Sequence, residues 1–309
     1  MNDSLKTIVV IGGTGLIGRH LVFLLKDSNY NIKVLARDLL RAKQLFGNDI
    51  DIAYWDGKDS KVLVSHLNEA FAVVNLSGST IAVRWTNKAK EKIYQSRIGT
   101  TRAVVNAINT CEVPPKALIQ ASAIGYYSYD SEFQYDESGP KGNGFLSNLV
   151  SDWEIASKSV NINCRLVNIR TGIVLSSNGG FLEKLINPIR FFVGGWFGNG
   201  RQNISWIHID DHINAIRFLI EDENCFGPFN LVSPNPISFK QFAKVVGREI
   251  RRPVWLPVPK FILRILFGKM ANEIICSNQS IIPKKLLAKG FVFRYNKIEE
   301  ALVNLLRVK

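Results

Sequence analysis

Apolar residues along the first 170 positions follow two alternating patterns. Short, almost continuously apolar runs predict buried β-strands, and they read TIVVIGG, NIKVLAR, DIAYW, FAVVNLSG, KALIQAS and CRLVNIR. Between them, segments such as LIGRHLVFLLKD and IGTTRAVVNAIN carry apolar residues at helical spacing. Strands that alternate with helices and are apolar on both faces indicate a parallel sheet covered by helices on each side. We therefore expect an α/β fold with a doubly wound parallel sheet.

The pattern changes beyond residue 175. NISWIHIDDHINAIRFLI predicts a strand that runs into a helix, and GPFNLVSP predicts a last strand. From Pro234 onward, the proline-rich joints PNP and LPVP separate short helical segments. We predict a main domain over residues 1–233, in which residues 176–203 contribute to a substrate pocket. Residues 234–309 are predicted to form a small, mainly helical, basic C-terminal domain.

The composition is that of a folded protein, with 46% hydrophobic and 21% charged residues. No apolar run approaches the ~20 residues of a membrane-spanning helix. The start, MNDSLKTIVVIGG, lacks the features of a signal peptide. The four cysteines are far apart and form no CxxC motif, which indicates reduced thiols and no zinc site. These features predict a cytoplasmic protein without a resident metal.

The formal charge of +13 is concentrated near the C-terminus. Residues 240–309 hold 15 Lys and Arg against four Asp and Glu, a net charge of +11. This asymmetry is compatible with nucleic acid, an anionic membrane or an acidic substrate, and equally with a solvated basic surface. KFILRILFGKMANEI has the character of a membrane-bound amphipathic helix, but we expect its apolar face to pack on the main domain. A nucleic-acid partner is disfavoured because the segment lacks interleaved aromatic residues.

Three regularly spaced glycines join the first strand to the first helix. Gly12, Gly15 and Gly18 lie in IGGTGLIGRH. Such glycines permit a tight turn, let the backbone approach a pyrophosphate and let the helix pack closely on the strand. The helix N-terminus adds amide donors and a favourable dipole. Because the strand and the helix are both present, the motif predicts a Rossmann dinucleotide site rather than a plain turn.

The end of the second strand indicates which dinucleotide binds. A site for NAD carries an acidic residue about 20 positions after the glycines, where it meets the ribose. NIKVLAR ends instead in Arg37, and Arg41 and Lys43 follow. A guanidinium at this place can pair with the 2′-phosphate of NADP. We predict NADP as the cofactor, while the neighbouring Asp38 keeps NAD open as the less favoured alternative.

Several motifs together resemble the extended short-chain dehydrogenase/reductases, the NAD(P)-dependent epimerase/dehydratase superfamily. They are GGTGLIG at 12–18, NLSG at 75–78, QASAIGYYS at 120–128, RTGIVL at 170–175 and SWIHIDDHINAI at 205–216. The segments SRIGTTR, GNGRQNISWIHIDD and LPVPKFILRILFGKMANEI are similar to one branch, the atypical "epimerase family" proteins. These carry a small C-terminal domain of unknown function. The resemblance covers almost the whole chain.

The resemblance implies a set of cofactor contacts in the loops that follow the strands. They are Gly12, Thr14, Gly15, Leu16, Ile17 and Gly18 at the pyrophosphate, Arg37 at the adenosine phosphate, Asp56 near the adenine, Leu76, Ser77 and Gly78 along the cofactor, Arg97 and Ala121 close by, and Thr171, Gly172 and Ile173 at the nicotinamide end. Ser77 departs from the small alanine of many relatives. Arg97 stands where relatives often carry Asn. Three roles are open for it: contact with the cofactor phosphates, contact with the substrate pocket, or a bridge between helices.

The catalytic residues of the superfamily are only partly present. Ser122 matches the Ser or Thr that hydrogen-bonds the reacting oxygen. Active members add Tyr-x-x-x-Lys on the next helix, with both side chains on one face, where the Lys lowers the pKa of the Tyr. When Glu154 is aligned with the Glu of relatives, the Lys position is Val150 and the Tyr position is Leu146. Neither residue can carry a proton.

Other residues could replace part of this chemistry. Tyr126 and Tyr127 follow Ser122 directly, either as substitute proton donors or as an aromatic wall of the substrate pocket. In SWIHIDDH we expect structural roles, in which Asp211 could cap the following helix, and contact with the substrate is the alternative. A metal site is not expected there, because His212 falls on a different face.

The sequence thus predicts an NADP(H)-binding, epimerase-like protein. It would be an oxidoreductase on a small carbonyl, alcohol or sugar-like substrate, without the usual Tyr–Lys pair. The alternative is a non-catalytic NADP-sensing protein with a regulatory or interaction role, related to cell division or associated with nucleic acid. The substrate and the oligomeric state do not follow from the sequence.

Overall fold

The computed structural model of the chain describes residues 5–268 and 270–307, except for the side chains of residues 266 and 267. Its strands are β1 (Thr7–Ile11), β2 (Asn31–Ala36), β3 (Asp51–Tyr54), β4 (Ala72–Asn75), β5 (Ala117–Ala123), β6 (Asp130–Tyr135), β7 (Arg165–Thr171), β8 (Ile173–Ser176), β9 (Gly179–Gly180), β10 (Gly195–Phe197), β11 (Asn203–Ile204), β12 (Trp206–His208), β13 (Gly227–Leu231), β14 (Ile237–Ser238), β15 (Leu256–Val258) and β16 (Asn278–Ile281).

The α-helices are α1 (Leu16–Asp27), α2 (Leu39–Phe46), α3 (Ser60–Leu67), α4 (Asn87–Tyr94), α5 (Thr100–Thr110), α6 (Phe145–Ser157), α7 (Phe181–Arg190), α8 (Ile209–Glu221), α9 (Phe239–Glu249), α10 (Lys260–Phe267), α11 (Lys284–Ala288) and α12 (Ile298–Arg307). A π-helical turn (Gln95–Gly99) joins α4 to α5, and a second one (Ala271–Ile275) follows α10. A short 3₁₀ turn (Ile124–Tyr126) follows β5.

Seven strands form the central sheet in the order β13-β7-β5-β4-β1-β2-β3, and all neighbouring pairs are parallel. The chain builds outward from β1 to β3 and then returns to β4 on the other side of β1. The strand order therefore reverses between β1 and β4, which is where open sheets of this kind bind their ligands. The predicted doubly wound Rossmann sheet is confirmed.

Strand β1 shows why the predicted strands are continuously apolar. Ile8 and Val10 point to one face of the sheet, where they share a core with residues of α1 and α8. Val9 and Ile11 point to the other face, into a core with residues of α3 and α5. A strand buried on both faces has no position for a polar side chain, so its sequence does not alternate.

The C-terminal segment shares the core of the main sheet. It is mainly helical, as predicted, but each of its three described strands pairs with a strand from the first 233 residues. These pairs are β14 with β11, β15 with β10, and β16 with β6. Side chains from Phe239 to Leu305 belong to the same buried cluster as Ile8. The boundary at residues 233 and 234 therefore stays a prediction, since the packing is continuous across it.

Two buried side chains at the start of α8 fasten the C-terminal segment. His208 caps the helix by accepting a backbone N–H with Nδ1, and its Nε2 donates to Asn304 Oδ1 at 3.1 Å. Its ring stacks on Tyr295 with centroids 3.9 Å apart. Asp211 accepts the backbone N–H groups of Arg294 at 2.8 Å and Tyr295 at 2.9 Å. The prediction that Asp211 caps α8 was wrong. His208 is the N-cap residue of α8, and Asp211 instead binds the backbone of the C-terminal segment.

The described apolar side chains of α10 are partly buried and partly exposed. Phe261 is 62% exposed and Ile265 is 70% exposed, whereas Leu263 is buried. Among the described elements, α10 packs chiefly on the π-helical turn after it. Lys269, within the predicted amphipathic segment, lies outside the described residues. None of the described helices is long and apolar enough to cross a membrane.

The buried histidines predict a loss of stability in mild acid. Burial lowers the pKa of His208 to about 4 and that of His212 to about 3, whereas an unfolded histidine titrates near ~6.5. Between these values the unfolded chain binds more protons, so the free energy of unfolding falls as the pH falls from ~6.5, and the loss ends below the folded pKa values. The free energy of unfolding, measured with urea, should fall by about 1.4 kcal/mol for each of these histidines as the pH is lowered from about 6 to 5.

His212→Asn should reduce the total slope by about 1.4 kcal/mol per pH unit, while His208 and the less strongly shifted His66 still take up protons on unfolding. The comparison of slopes cancels the contribution of carboxylates, which is the same in both chains. An identical slope in the variant would show that His212 is not held neutral.

Candidate functional site

The turn between β1 and α1 has no room for side chains at two of its glycines. Gly12 has φ +81°, and a Cβ there would lie 2.8 Å from the carbonyl carbon of Leu76. A Cβ at Gly18 would overlap the carbonyl oxygen of Gly12. Gly15 is the N-cap residue of α1 and offers no side chain as a cap. The first N–H groups of α1 are thus left for an external acceptor, as in an anion site.

The other predicted residues of this turn surround it. Thr14, Leu16 and Ile17 are half-buried at the start of α1. Part of the segment predicted to contribute to the pocket also lies here, because a Cβ at Gly180 would be 3.0 Å from a methyl of Leu16. The Arg19 guanidinium, one turn into α1, donates to the Asn178 carbonyl at 2.6 Å. The β8–β9 turn is therefore fastened beside the glycine turn.

The loop after β4 is held by a buried amide. Asn75 Oδ1 accepts from the N–H of Ser77 at 3.2 Å and from its hydroxyl at 2.6 Å. Asn75 Nδ2 in turn donates to Gln120 Oε1 on β5 at 2.9 Å. The backbone from Leu76 to Gly78 is thereby fixed against the glycine turn. The Ser77 hydroxyl stabilises this loop through its hydrogen bond to Asn75, which explains why a residue other than alanine fits this position.

The ends of β2 and β3 present one cation and one carboxylate to solvent. Arg37 is exposed. The adjacent Asp38 is occupied as the N-cap of α2, where it accepts the N–H of Arg41 at 2.9 Å. Asp56 is also exposed, and backbone hydrogen bonds, that of Asp59 above all, hold the pKa of its carboxyl below the ordinary value. The cap role of Asp38 favours Arg37 as the residue that meets an adenosine ribose.

Residues 171–173 cross from β7 to β8 at the same edge of the sheet. A Cβ at Gly172 would lie 2.7 Å from the carbonyl oxygen of Ser205, so the backbone passes where no side chain fits. The Thr171 hydroxyl and His212 Nε2 are 3.0 Å apart, and His212 is fully buried. The crossing is closely packed and half-exposed, as a loop that covers part of a ligand would be.

A buried ion pair lies beneath the crevice. Glu154 on α6 and Arg170 on β7 form two hydrogen bonds, each of 2.8 Å. Burial disfavours the charge of Arg170, but its hydrogen bonds with Glu154 raise the pKa overall. Ser122, at the end of β5 after the half-buried Ala121, donates its hydroxyl to Glu154 Oε1 at 2.7 Å. The Ser122 proton is therefore engaged by the ion pair.

The two candidate tyrosines occupy different environments around Arg170. Tyr127 is fully buried, its hydroxyl donates to Asn230 Oδ1 at 2.8 Å, and Arg170 donates to it at 2.9 Å. Burial raises the pKa of Tyr127 to about 12. Tyr126 is half-exposed, with its ring centroid 3.6 Å from the Arg170 guanidinium, and its hydroxyl has no hydrogen bond to the described part of the chain. Of the two, only Tyr126 offers a hydroxyl to a ligand.

The two positions of the missing pair are apolar and packed. A Cβ at Gly125 would meet Leu146 at 3.4 Å and Val150 at 3.7 Å. These side chains of α6 therefore support the turn that carries Tyr126. The N-terminus of α6 is capped from the C-terminal segment, because the Glu273 carboxylate accepts the N–H of Leu146 at 2.9 Å. No proton carrier stands at either position.

Among the described residues, no group of three or more His, Cys, Asp or Glu side chains could hold a metal ion. The four cysteines are free thiols. Burial raises the pKa of each, so they are poor nucleophiles in this state.

The fold brings the predicted loops after β1, β4, β5 and β7 to one edge of the sheet, on both sides of the point where strand order reverses. Sequence reasoning missed the Glu154–Arg170 ion pair and the Glu273 cap. The sequence does indicate a partner for Arg170, because it is a charged residue at the end of an apolar strand, where burial requires one. Nothing in the sequence indicates that Glu273 caps α6.

Sequence comparison decides the family. A sequence model of the NAD dependent epimerase/dehydratase family matches residues 8–231. The chain belongs to this family. A second model, of a domain of unknown function (DUF1731), matches residues 258–305. The predicted resemblance to epimerase family proteins with an additional C-terminal domain is confirmed.

Similar family members come from distant organisms. The epimerase family protein SDR39U1 homolog, chloroplastic, of Arabidopsis thaliana is 36% identical over 97% of this chain and 86% of its own length. Epimerase family protein YfhF of Bacillus subtilis is 36% identical over 97% of both chains. The crystal structure of human epimerase family protein SDR39U1 (isoform 2) with NADPH has a TM-score of 0.88 at 28% identity, covering 98% of this chain and all of that chain.

Glu154→Gln should destabilise this epimerase family protein strongly, because it leaves Arg170 charged, buried and without its carboxylate. Breaking a buried pair at one partner costs about 3–5 kcal/mol, measurable by urea unfolding. Asp49→Asn is the matched control, since it breaks the exposed Lys26–Asp49 ion pair and should leave the unfolding midpoint nearly unchanged. Equal effects of the two changes would refute the structural role of the buried pair.

Proposed function

We propose that the chain binds NADP(H) at the edge where strand order reverses, and that it is an oxidoreductase on a small carbonyl or alcohol substrate. The observation that carries the proposal is the closely packed glycine turn. Its backbone has φ +81° at Gly12, no side chain fits there or at Gly18, and the first N–H groups of α1 have no side-chain cap. This is the arrangement that a pyrophosphate requires.

The exposed groups around the turn fit the rest of an NADP molecule. Arg37 would pair with the 2′-phosphate and Asp56 would lie by the adenine. The loops at 76–78 and 171–173 would border the nicotinamide half. The NADPH in the crystal structure of human SDR39U1 supports the choice of NADP over NAD. When bound, the nicotinamide supplies or accepts a hydride.

The chain itself would provide the proton through Tyr126. Its hydroxyl is half-exposed and free of hydrogen bonds to the described residues, while the guanidinium of Arg170 fixes the ring. A positioned hydroxyl of this kind can give a proton to a substrate oxygen as the hydride arrives. Ser122 would serve as a rigid neighbour, because its own proton is directed to Glu154.

A second candidate function is a non-catalytic NADP sensor. The observation in its favour is that Leu146 and Val150 replace the proton-carrying pair and are packed against Gly125. Ser122 and Tyr127 are likewise engaged inside the protein. Such a protein would bind NADPH without turnover.

Arg37→Ala should weaken NADPH binding about tenfold or more and leave NADH binding almost unchanged, because only NADPH carries the 2′-phosphate. Fluorescence titration of both dinucleotides measures the two Kd values. Arg102→Ala removes an exposed cation of α5 and serves as the control. A parallel loss for both dinucleotides, or tighter binding of NADH by the unaltered chain, would argue against NADP as the cofactor.

Tyr126→Phe separates the two functions. For an oxidoreductase it should lower NADPH oxidation with a panel of carbonyl compounds about 100-fold, since it removes the general acid, and leave NADPH affinity unchanged. Tyr129→Phe, a nearby half-buried tyrosine, is the control. If the unaltered chain binds NADPH and oxidises it with no compound of the panel, the sensor replaces the enzyme as the proposed function.

A further inference from the structure

Arg97 is a half-buried cation without a carboxylate partner among the described residues. No ion pair among the described residues includes it. Burial lowers its pKa to about 10, and no neighbouring acid opposes that shift. Proteins usually give an arginine that is shielded from water an acidic partner, because the charge loses part of its hydration. We therefore expect Arg97 to bind an anion that does not belong to the described part of the chain.

The guanidinium is held in place by packing more than by hydrogen bonds. Its Cζ lies 5.1 Å from the centroid of the Trp153 ring. On another side, a Cβ at Gly78 would be only 3.2 Å from the same atom. Its contacts with the Ile93 carbonyl at 3.4 Å and the Ser96 hydroxyl at 3.5 Å are long. A guanidinium has several N–H donors, so most of them stay available to a ligand.

The local backbone is built to present this side chain. Arg97 is the central residue of the π-helical turn Gln95–Gly99, which interrupts an otherwise continuous helix between α4 and α5. Such π-turns are rare and occur frequently at functional sites. The turn is tied to the loop after β4, because Ser96 Oγ accepts the N–H of Ser79 at 3.0 Å. Arg97 is thus fixed relative to Gly78.

The position of Arg97 favours the substrate over the cofactor pyrophosphate. The glycine turn touches the loop after β4 at Leu76, through Gly12, whereas Arg97 touches that loop at Gly78. Its other neighbour, Trp153, belongs to α6, the helix that follows β5. Arg97 therefore lies between the loop after β4 and α6, and it contacts that loop two residues beyond Leu76, where the glycine turn packs.

We propose that Arg97 binds an anionic group of the substrate, a carboxylate or a phosphate, beside the nicotinamide half of the site. The inference rests on the proposed function for the position of the cofactor. It limits the substrates to anionic carbonyl or alcohol compounds. A charge-assisted hydrogen bond to such an anion would replace the hydration that the guanidinium of Arg97 loses on burial.

The test uses the full chain saturated with NADPH and measures the reaction of arginines with phenylglyoxal by mass spectrometry. The reagent modifies guanidine groups that it can reach, and Arg97 is half-buried rather than fully buried. Inorganic phosphate and malonate are the probes, malonamide is the neutral counterpart of malonate, and NaCl keeps the ionic strength constant. We expect the anions to slow modification of Arg97 about tenfold, malonamide to have no effect, and the exposed Arg102 to react unchanged throughout.

Variants complete the test. Arg97→Gln should weaken binding of the protecting anion about tenfold or more at unchanged NADPH affinity. Arg97→Lys, which keeps the charge and reports on folding through its thermal midpoint, should retain part of the anion affinity. If NADPH alone protects Arg97 and Arg97→Gln loses NADPH binding, the residue serves the cofactor and the proposal falls.

The proposal also falls if neither NADPH nor the anions protect Arg97. A failure of the unaltered chain to bind NADPH would instead refute the proposed function. The anion titration then runs without NADPH and still decides the role of Arg97.

Discussion

The turn between β1 and α1 packs backbone against backbone, and the arrangement of the whole site depends on that contact. Gly12 lies against the peptide of Leu76, and Gly18 lies against the carbonyl of Gly12. Any side chain at these positions would separate β1, α1 and the loop after β4. Their close approach places the free N–H groups of α1 where the strand order reverses, so one steric constraint creates both the crevice and its affinity for phosphate.

The buried ion pair of Glu154 and Arg170 defines the other half of the site. It accepts a hydrogen bond from the Ser122 hydroxyl, packs against the ring of Tyr126 and joins α6 to β7. Helix α6 is therefore anchored by charge beneath the crevice, while its Leu146 contributes only packing toward the ligand side. Because α6 lacks the proton-carrying Tyr and Lys, a proton donor would have to come from another residue. The exposed hydroxyl of Tyr126 is the candidate.

The sequence predicted the central sheet because strands buried on both faces are apolar throughout, as Ile8 to Ile11 show. It predicted the glycine turn because the constraint is local. It could not predict the partners of Arg170 or the cap supplied by Glu273, since these contacts join residues 16 and 127 positions apart. The exposed face of α10 was also missed, because amphipathic spacing shows that a face exists and not what covers it.

The cofactor claim is tested most directly by NADPH titration of two matched variants, Gly12→Ala and Gly290→Ala. Both glycines have positive φ, +81° and +83°, so each variant carries a similar backbone strain of about 1 kcal/mol. Only the Cβ at position 12 meets a neighbour, whereas the space around Gly290 is open. We expect Gly12→Ala to lose NADPH binding and Gly290→Ala to keep it. Wild-type affinity in Gly12→Ala, or an equal loss in both, would contradict it.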